Sequence, residues 1–198
     1  WKRTGNKIFR LKDKTLGIIG LGRIGKAVAL RAKAFKMNVI YYDPYLKSGY
    51  DKIFNVKYMQ NLSNLAKTSD FISLHCPLTP QTKNMINKNF FKKMKKNSVM
   101  INTSRGEVLN LSDLKDALKN KKIKGAALDV LEEEPLSPNH KLIKDYFADK
   151  SYLKNKLIIT PHVAFYSTTS VIEIREKAAI EAKIVLNNDK PKNSVNGF

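Results

Sequence analysis

The chain has 198 residues, 42% of them hydrophobic, and carries 37 Lys or Arg against 17 Asp or Glu, a formal net charge of +20. That length supports one good core with a small satellite and excludes two full domains, and the hydrophobic fraction excludes a disordered polyelectrolyte. No apolar run approaches the ~20 residues needed to cross a bilayer, so no membrane partner is expected.

Residue 1 is Trp, so the chain is expected to begin inside a longer protein, and no signal peptide is expected. The single Cys76 has no partner for an internal disulfide and fits a reducing cytoplasm. A basic chain invites a nucleic-acid reading. Against it, the excess is nearly all Lys spread along the chain, Arg is scarce, and Asn is abundant at Asn61, Asn64, Asn84, Asn87 and Asn89. Lys and Asn rising together read as biased codon usage with lysines on solvated faces, and nucleic acid is not expected as a partner. The densest cluster, Lys92, Lys93, Lys95 and Lys96, reads as the wet side of a helix that turns Phe90 and Phe91 inward.

In chain order, Thr15–Gly20 is a short apolar strand ending in glycine. Residues 24–35 follow with Ile24, Ala27, Val28, Leu30 and Ala34 at helical spacing. Asn38–Tyr42 is a second strand, stopped by Asp43-Pro44. Phe71–Leu74 and Ser98–Asn102 are two more, with a helix near 87–94 between them and Asn87 as its N-cap. Ser112 or Asp113 starts a helix through Leu114, Ala117 and Leu118. Gly125–Val130 and Leu157–Thr160 complete six strands. Leu131–Leu153, with Pro135 and Pro138, reads as irregular; Ser167–Leu186 reads as one long helix with Val171, Ile174, Ala178 and Ile184 on one side, and a polar tail follows. Strands alternating with helices indicate an α/β fold, a Rossmann-type doubly wound parallel sheet with helices on both faces. Residues 1–14 are read as a connector, 15–166 as the dinucleotide-binding domain and 167–198 as a C-terminal helix and tail.

The segment T-L-G-I-I-G-L-G-R-I-G-K, residues 15–26, has the context that a G-x-G-x-x-G pattern needs: a strand before, a helix after, and an acid ending the next strand. Gly20 permits the tight turn, Gly22 lets backbone amides approach a pyrophosphate, and Gly25 allows close helix–strand packing. The diphosphate then lies on the helix N-terminus. Asp43 is placed to accept from the adenosine ribose hydroxyls and to repel a 2′-phosphate, so the expected cofactor is NAD rather than NADP. Other polar groups fall after later strands: His75-Cys76-Pro77, Thr103-Ser104-Arg105, Asp129 and Thr160-Pro161-His162. Arg105 could clamp a carboxylate, His162 could exchange a proton, and Glu134 could hydrogen-bond the imidazole. Each taken alone reads better as a surface Arg, a helix-capping His and a Glu of the solvated run Glu132–Glu134. His75 reads as a strand-end residue on the adenine side, and His140 as a solvated loop histidine. No metal site is expected.

Together these segments resemble the D-isomer-specific 2-hydroxyacid dehydrogenase family. The carriers are K-T-L-G-I-I-G-L-G-R-I-G (14–25), L-H-C-P-L-T-P-Q-T (74–82), I-N-T-S-R-G (101–106), G-A-A-L-D-V-L-E-E-E-P (125–135) and T-P-H-V-A-F-Y-S (160–167). The resemblance implies Arg105 as substrate-binding, His162 as the general acid–base and Glu134 as its partner. It implies Thr103 and Asp129 near the nicotinamide, amides of Arg23 and Ile24 on the pyrophosphate, and Cys76, Pro77 and Thr82 bordering the adenosine. The ending A-F-Y-S resembles the lactate and C-terminal-binding-protein branches. Asn110 stands where the family has Asp, and its expected role is to hold a turn.

The resemblance further implies a homodimer through the cofactor domain and a substrate domain formed mostly by residues before it, which Trp1 places outside this chain. The expected function is interconversion of a 2-oxo acid and a D-2-hydroxy acid, with this fragment alone incomplete for turnover. An NAD-responsive corepressor-like role or a truncated NAD-binding protein are the alternatives.

Overall fold

The structure is a computed structural model and describes residues 9–46, 49–134, 139–192 and 194. The chain divides into two compact units, the first ending at Pro161 and the second beginning at His162.

The first unit is a seven-stranded, all-parallel sheet in the order β3-β2-β1-β4-β5-β6-β7. Its strands are β1 (Thr15–Ile19), β2 (Asn38–Tyr42), β3 (Lys57–Tyr58), β4 (Phe71–Leu74), β5 (Val99–Asn102), β6 (Gly125–Leu128) and β7 (Leu157–Ile159). Six coincide with the strands read from the sequence. The seventh, β3, has two residues and no apolar run to announce it. The strand order reverses at β1, which pairs with β2 on one side and β4 on the other. That switch point is where such sheets leave a crevice beyond the carboxyl ends of their strands.

Among the described residues six α-helices serve this unit: α1 (Arg23–Ala34), α2 (Tyr50–Phe54), α3 (Leu62–Thr68), α4 (Lys88–Lys93), α5 (Leu111–Lys119) and α6 (Lys141–Phe147). Their caps explain part of the asparagine. Asn61 accepts from the Asn64 N–H, Asn87 from Asn89 and Phe90, and Asn110 from Asp113, so three asparagines open three helices. Asn110 therefore holds a turn as expected, and α5 starts at Leu111, one or two residues before the Ser112 or Asp113 expected from the sequence.

Two corrections concern helices. The buried stripe of α1 is Gly25, Ala29 and Ala32, while Ile24 is 64% exposed and Leu30 is exposed too. Small residues let α1 approach the sheet closely, and an apolar count at helical spacing weights the large side chains instead. The stretch read as irregular contains α6, whose Leu142 and Ile143 are fully buried. With seven residues it is too short to show a periodic pattern. Pro135 and Pro138 lie outside the described residues.

Side chains alternate across the sheet and build a core on each face. Leu16, Ile18, Val39 and Tyr41 meet Ala29 and Ala32 of α1. On the other face Ile19, Ile72, Leu74 and Met100 meet Leu65, Phe91, Leu114 and Leu142 from α3 to α6. Phe90 and Phe91 are buried and Lys92, Lys93 and Lys96 exposed, so the lysine cluster is the wet side of α4 and the turn after it.

The second unit holds α7 (Thr168–Leu186), opened by a capping box in which Ser167 accepts from the Ser170 N–H and the Ser170 hydroxyl accepts from Ser167. None of its residues is buried. Among the described residues no helix is long and apolar enough to cross a membrane.

At the amino edge of the sheet Asp70 ties three elements. Its Oδ2 accepts from the Thr15 N–H at 2.8 Å and its Oδ1 pairs with Lys95 Nζ at 3.0 Å. Burial alone would raise its pKa, but the Thr15 N–H and the ammoniums of Lys95 and Lys14 outweigh that and hold the carboxyl below the usual carboxylate range. A depressed acid stabilises the fold above its unfolded pKa and loses that contribution as pH falls through the folded value. Asp70→Asn is therefore expected to cost about 1 kcal/mol near pH 7. Denaturant melts of variant and wild type should converge as pH drops below the folded pKa. A gap that persists in acid would show that the side chain's charge is not what counts.

Candidate functional site

The turn after β1 is built by where it cannot admit a side chain. Gly20 has φ +88°, and a Cβ there would lie 2.7 Å from the Cys76 nitrogen and 2.8 Å from the His75 carbonyl. The β1 turn thus lies directly against the segment leaving β4, which closes one wall of the crevice. A Cβ on Gly25 would sit 2.2 Å from the Gly20 carbonyl oxygen, so only glycine lets α1 start this close to the strand end. Gly22 differs: a Cβ there would meet nothing within 4 Å, because it faces open space. The first-turn amides of Arg23 and Ile24 have no intrahelical acceptor, and α1 carries no acid in its first turn to satisfy them.

Asp43, just past β2, fixes the far side of this turn. Its Oδ2 accepts from the Leu21 N–H at 2.9 Å and its Oδ1 from the Tyr45 N–H at 3.0 Å. A carboxylate has about four acceptor positions. Two backbone bonds orient it and leave capacity for a hydroxyl.

Beyond β4 the wall is uncharged. Burial lowers the His75 pKa to about 4, so the ring is neutral at physiological pH, and its Nε2 shares a 2.9 Å hydrogen bond with Ser73 Oγ. Burial, with a smaller contribution from the Asp43 charge, raises the Cys76 thiol to about 11. Thr82 closes the following loop: its hydroxyl donates to the Pro77 carbonyl and accepts from the Thr79 N–H, both at 2.7 Å. Pro77 is exposed.

After β5, Asn102 organises the turn that presents Thr103 and Arg105. It is 1% exposed, its Nδ2 donates to the Arg105 carbonyl at 3.0 Å, and its Oδ1 accepts from the Ser104 N–H and hydroxyl. Arg105 is exposed, with Nη1 donating to the Ser104 carbonyl at 2.6 Å. Gly106 lets this turn pack on the next one, since a Cβ there would lie 1.9 Å from the Leu131 carbonyl. In that neighbouring segment Glu134 Oε1 accepts from the Leu131 N–H at 2.9 Å, and Glu132 Oε1 accepts from the Leu111 N–H at 2.7 Å. Asp129, buried at the end of β6, accepts from the Thr160 hydroxyl at 2.5 Å, and its N–H donates to the Asn102 carbonyl.

The turns of the first unit bring Gly20, Gly22, Arg23, Ile24, Gly25, Asp43, Cys76, Pro77, Thr82, Thr103, Arg105, Asp129 and Glu134 to the carboxyl edge of one sheet. His162 belongs to the second unit, with φ +53° and its ring edge-on to Phe165 at 6.1 Å. Among the described residues no three His, Cys, Asp or Glu gather as metal ligands. His140 is not a free loop histidine: Nδ1 accepts from the Leu142 N–H and caps α6, beside a cleft of about 480 Å³ lined by Ser112, Lys115 and Lys141. Asn102 and Glu132 were missed as site residues. An Asn ending a strand before T-S-R carries an Asx-turn signal, whereas Glu132 looked like any solvated acid.

The fold and this edge define a dinucleotide-binding domain. The family described as D-isomer specific 2-hydroxyacid dehydrogenase, NAD binding domain, matches residues 1–164, and the chain belongs to that family. It is 40% identical over 196 residues to a D-3-phosphoglycerate dehydrogenase of Methanocaldococcus jannaschii, covering 99% of this chain and 36% of that one. It is 40% identical over 188 residues to a glyoxylate reductase of Korarchaeum cryptofilum, covering 95% of this chain and 54% of the relative. The solved structure of an Aquifex aeolicus D-lactate dehydrogenase with NAD and lactic acid superposes with a TM-score of 0.81 at 35% identity, covering 96% of this chain and 58% of that chain. The chain thus spans about a third to three fifths of these relatives.

Proposed function

We propose that this chain is the cofactor half of an enzyme that interconverts a 2-oxo acid and its D-2-hydroxy acid. The observation that carries the reading is the glycine turn at the β1–β4 switch point, open at Gly22 and braced by Asp43 through Leu21. Gly22 and the amides of Arg23 and Ile24 would hold the pyrophosphate of NAD at the positive end of α1. Asp43 would accept from the ribose hydroxyls, with Cys76, Pro77 and Thr82 beside the adenosine. NAD, when bound, supplies the acceptor or donor of hydride. Thr103 and Asp129 would border the nicotinamide side.

Arg105 would bind the substrate carboxylate, its turn held by the Asn102 amide. His162 would give or take the hydroxyl proton, and Glu134 would orient the imidazole. The remaining wall would come from a substrate domain formed by chain outside these residues, with residues 1–14 as the connector. Water exclusion and substrate orientation need both walls, so this chain alone is expected to bind cofactor without efficient turnover. We place the protein in the cytoplasm, in keeping with its single, buried cysteine, Cys76.

Calorimetry of this chain should show NAD(H) binding preferred over NADP(H). Asp43→Ala should weaken NAD binding by roughly tenfold or more and narrow the preference. Equal wild-type affinities would remove the Asp43 assignment, and absence of binding would remove the cofactor-domain reading for this chain.

In the protein with its substrate domain present, His162→Ala should lower kcat by roughly 10²–10⁴-fold while NADH affinity stays near wild type. Arg105→Ala should raise KM for 2-oxo acids and lower kcat, because one guanidinium both anchors the carboxylate and polarises the carbonyl. Stopped-flow turnover with fluorescence titration of NADH separates these effects; full activity in the His162 variant would refute the proton role.

We also infer a homodimer. The apolar side chains of α7 support it, with Ile172, Ile174 and Ile180 each more than half exposed. Light scattering should give twice the chain mass at micromolar concentration, and a monomer there refutes the inference.

A further inference from the structure

Charge in the first unit is sorted by the direction of the strands. The turns that feed the amino ends of the sheet, residues 10–14, 33–37, 67–70, 92–98, 119–124 and 149–156, hold 17 Lys or Arg and three Asp, a net of +14. The turns described at the carboxyl edge, 20–23, 43–46, 75–87, 103–110, 129–134 and 160–161, hold three cations and six acids, a net of −3. Lysines that are scattered in sequence are therefore gathered in space.

The amino-edge turns are laced into one surface. Lys14 and Lys124, from the starts of β1 and β6, both bring Nζ over the Phe9 ring, at 5.5 and 5.2 Å. The Lys124 N–H donates to the Ser98 carbonyl at 2.8 Å, and the Asp13 N–H to the Lys36 carbonyl at 3.0 Å. Two ordinary causes fall short of this distribution. Helix macrodipoles draw cations into last turns, which covers Lys33, Lys67, Lys92, Lys93 and Lys119 but not the lysines placed after the helices at 95–96, 121–124 and 154–156. Lysine-rich codon usage would fill both edges alike.

We propose that this amino edge is a docking face for an anionic lipid surface. Of its 17 cations only Arg10 is an arginine, so it offers flexible point charges and lacks the planar forks suited to phosphate recognition in nucleic acids. The charges span the starts of six neighbouring strands, β2, β1, β4, β5, β6 and β7. At ~4.8 Å per strand that is a face about 24 Å across, which a plane of headgroups meets at many points at once. Phe35, 62% exposed beside Lys36, adds an aromatic ring of the kind that rests at headgroup depth. Lysine attraction to an anionic leaflet accumulates residue by residue and decays within a Debye length. No membrane-spanning segment is needed. Docking by this edge leaves the cofactor crevice, at the opposite ends of the strands, open to solution.

Sedimentation of the chain with vesicles of phosphatidylcholine containing roughly 30% phosphatidylserine, at about 0.15 M salt, tests the proposal. The chain should pellet with these vesicles and stay in solution with pure phosphatidylcholine. Replacing Lys92, Lys93, Lys96 and Lys124 with Gln should lower the partition coefficient roughly a hundredfold. Replacing Lys83, Lys88, Lys141 and Lys144 with Gln makes the same change in net charge elsewhere and should lower it only a few-fold. The pair Lys96→Gln and Lys124→Gln, both on exposed turns, should give about a tenfold loss and covers the case in which the fourfold variant melts early. Absence of binding to the anionic vesicles overturns the proposal, as do equal losses in the two fourfold variants. Tighter binding to single-stranded RNA at the same salt, lost in the amino-edge variant, would reassign the face to nucleic acid and also overturn it.

Discussion

The start of α1 lies so near the end of β1 that the Gly20 carbonyl occupies the space a side chain at residue 25 would need. The rest of the carboxyl edge is arranged around that contact. Because α1 begins without a spacer, its first-turn amides are held at the mouth of the β1–β4 crevice, and a helix N-terminus needs such proximity to favour an anion. The same crowding presses the turn against the Cys76 amide and sets the separation of the two walls. Asp43 then crosses from β2 to the Leu21 N–H, so the acid and the turn are parts of one small rigid assembly. A ligand would meet this half of its site largely pre-formed.

The wall opposite Asp43 is kept neutral by burial, with the His75 ring uncharged and the Cys76 thiol protonated at physiological pH. A carboxylate beside a neutral wall offers hydroxyl groups an acceptor. On the other side of the switch point the polar groups are organised by backbone and amide contacts: Asn102 on the Arg105 turn, Thr160 on Asp129, Glu132 on the start of α5. Of these groups Asn102 is buried and Glu132 half-buried, while Thr160 and Arg105 are exposed.

Much of this was legible in the sequence, for a physical reason. Strands of a parallel sheet are buried on both faces and read as short apolar runs, and the glycine pattern is recognisable because each glycine answers a steric need. The family segments after β4, β5 and β6, with Thr160 after β7, then brought the polar groups of the first unit to one edge. Legibility failed where large side chains do not mark the buried surface. The inner stripe of α1 is Gly25, Ala29 and Ala32, while conspicuous Ile24 and Leu30 face outward. Helix α6 is too short to show a period, and β3 has too few residues to show one. The asparagines taken as a compositional bias also have local work: Asn61, Asn87 and Asn110 cap helices, and Asn55, Asn84 and Asn155 adopt positive φ. Composition counts residues without their positions, so it could not separate these uses from surplus.

The two outermost strands are also the shortest, with two residues in β3 and three in β7. A long outer strand would present a row of unpaired amides and carbonyls on which a second chain could add its own strand. Here that row ends almost as soon as it begins, and β3 places Lys57, an exposed cation, at its start. A chain with apolar central strands, at high concentration in a crowded cell, thereby avoids becoming the template for a growing ribbon of stacked sheets.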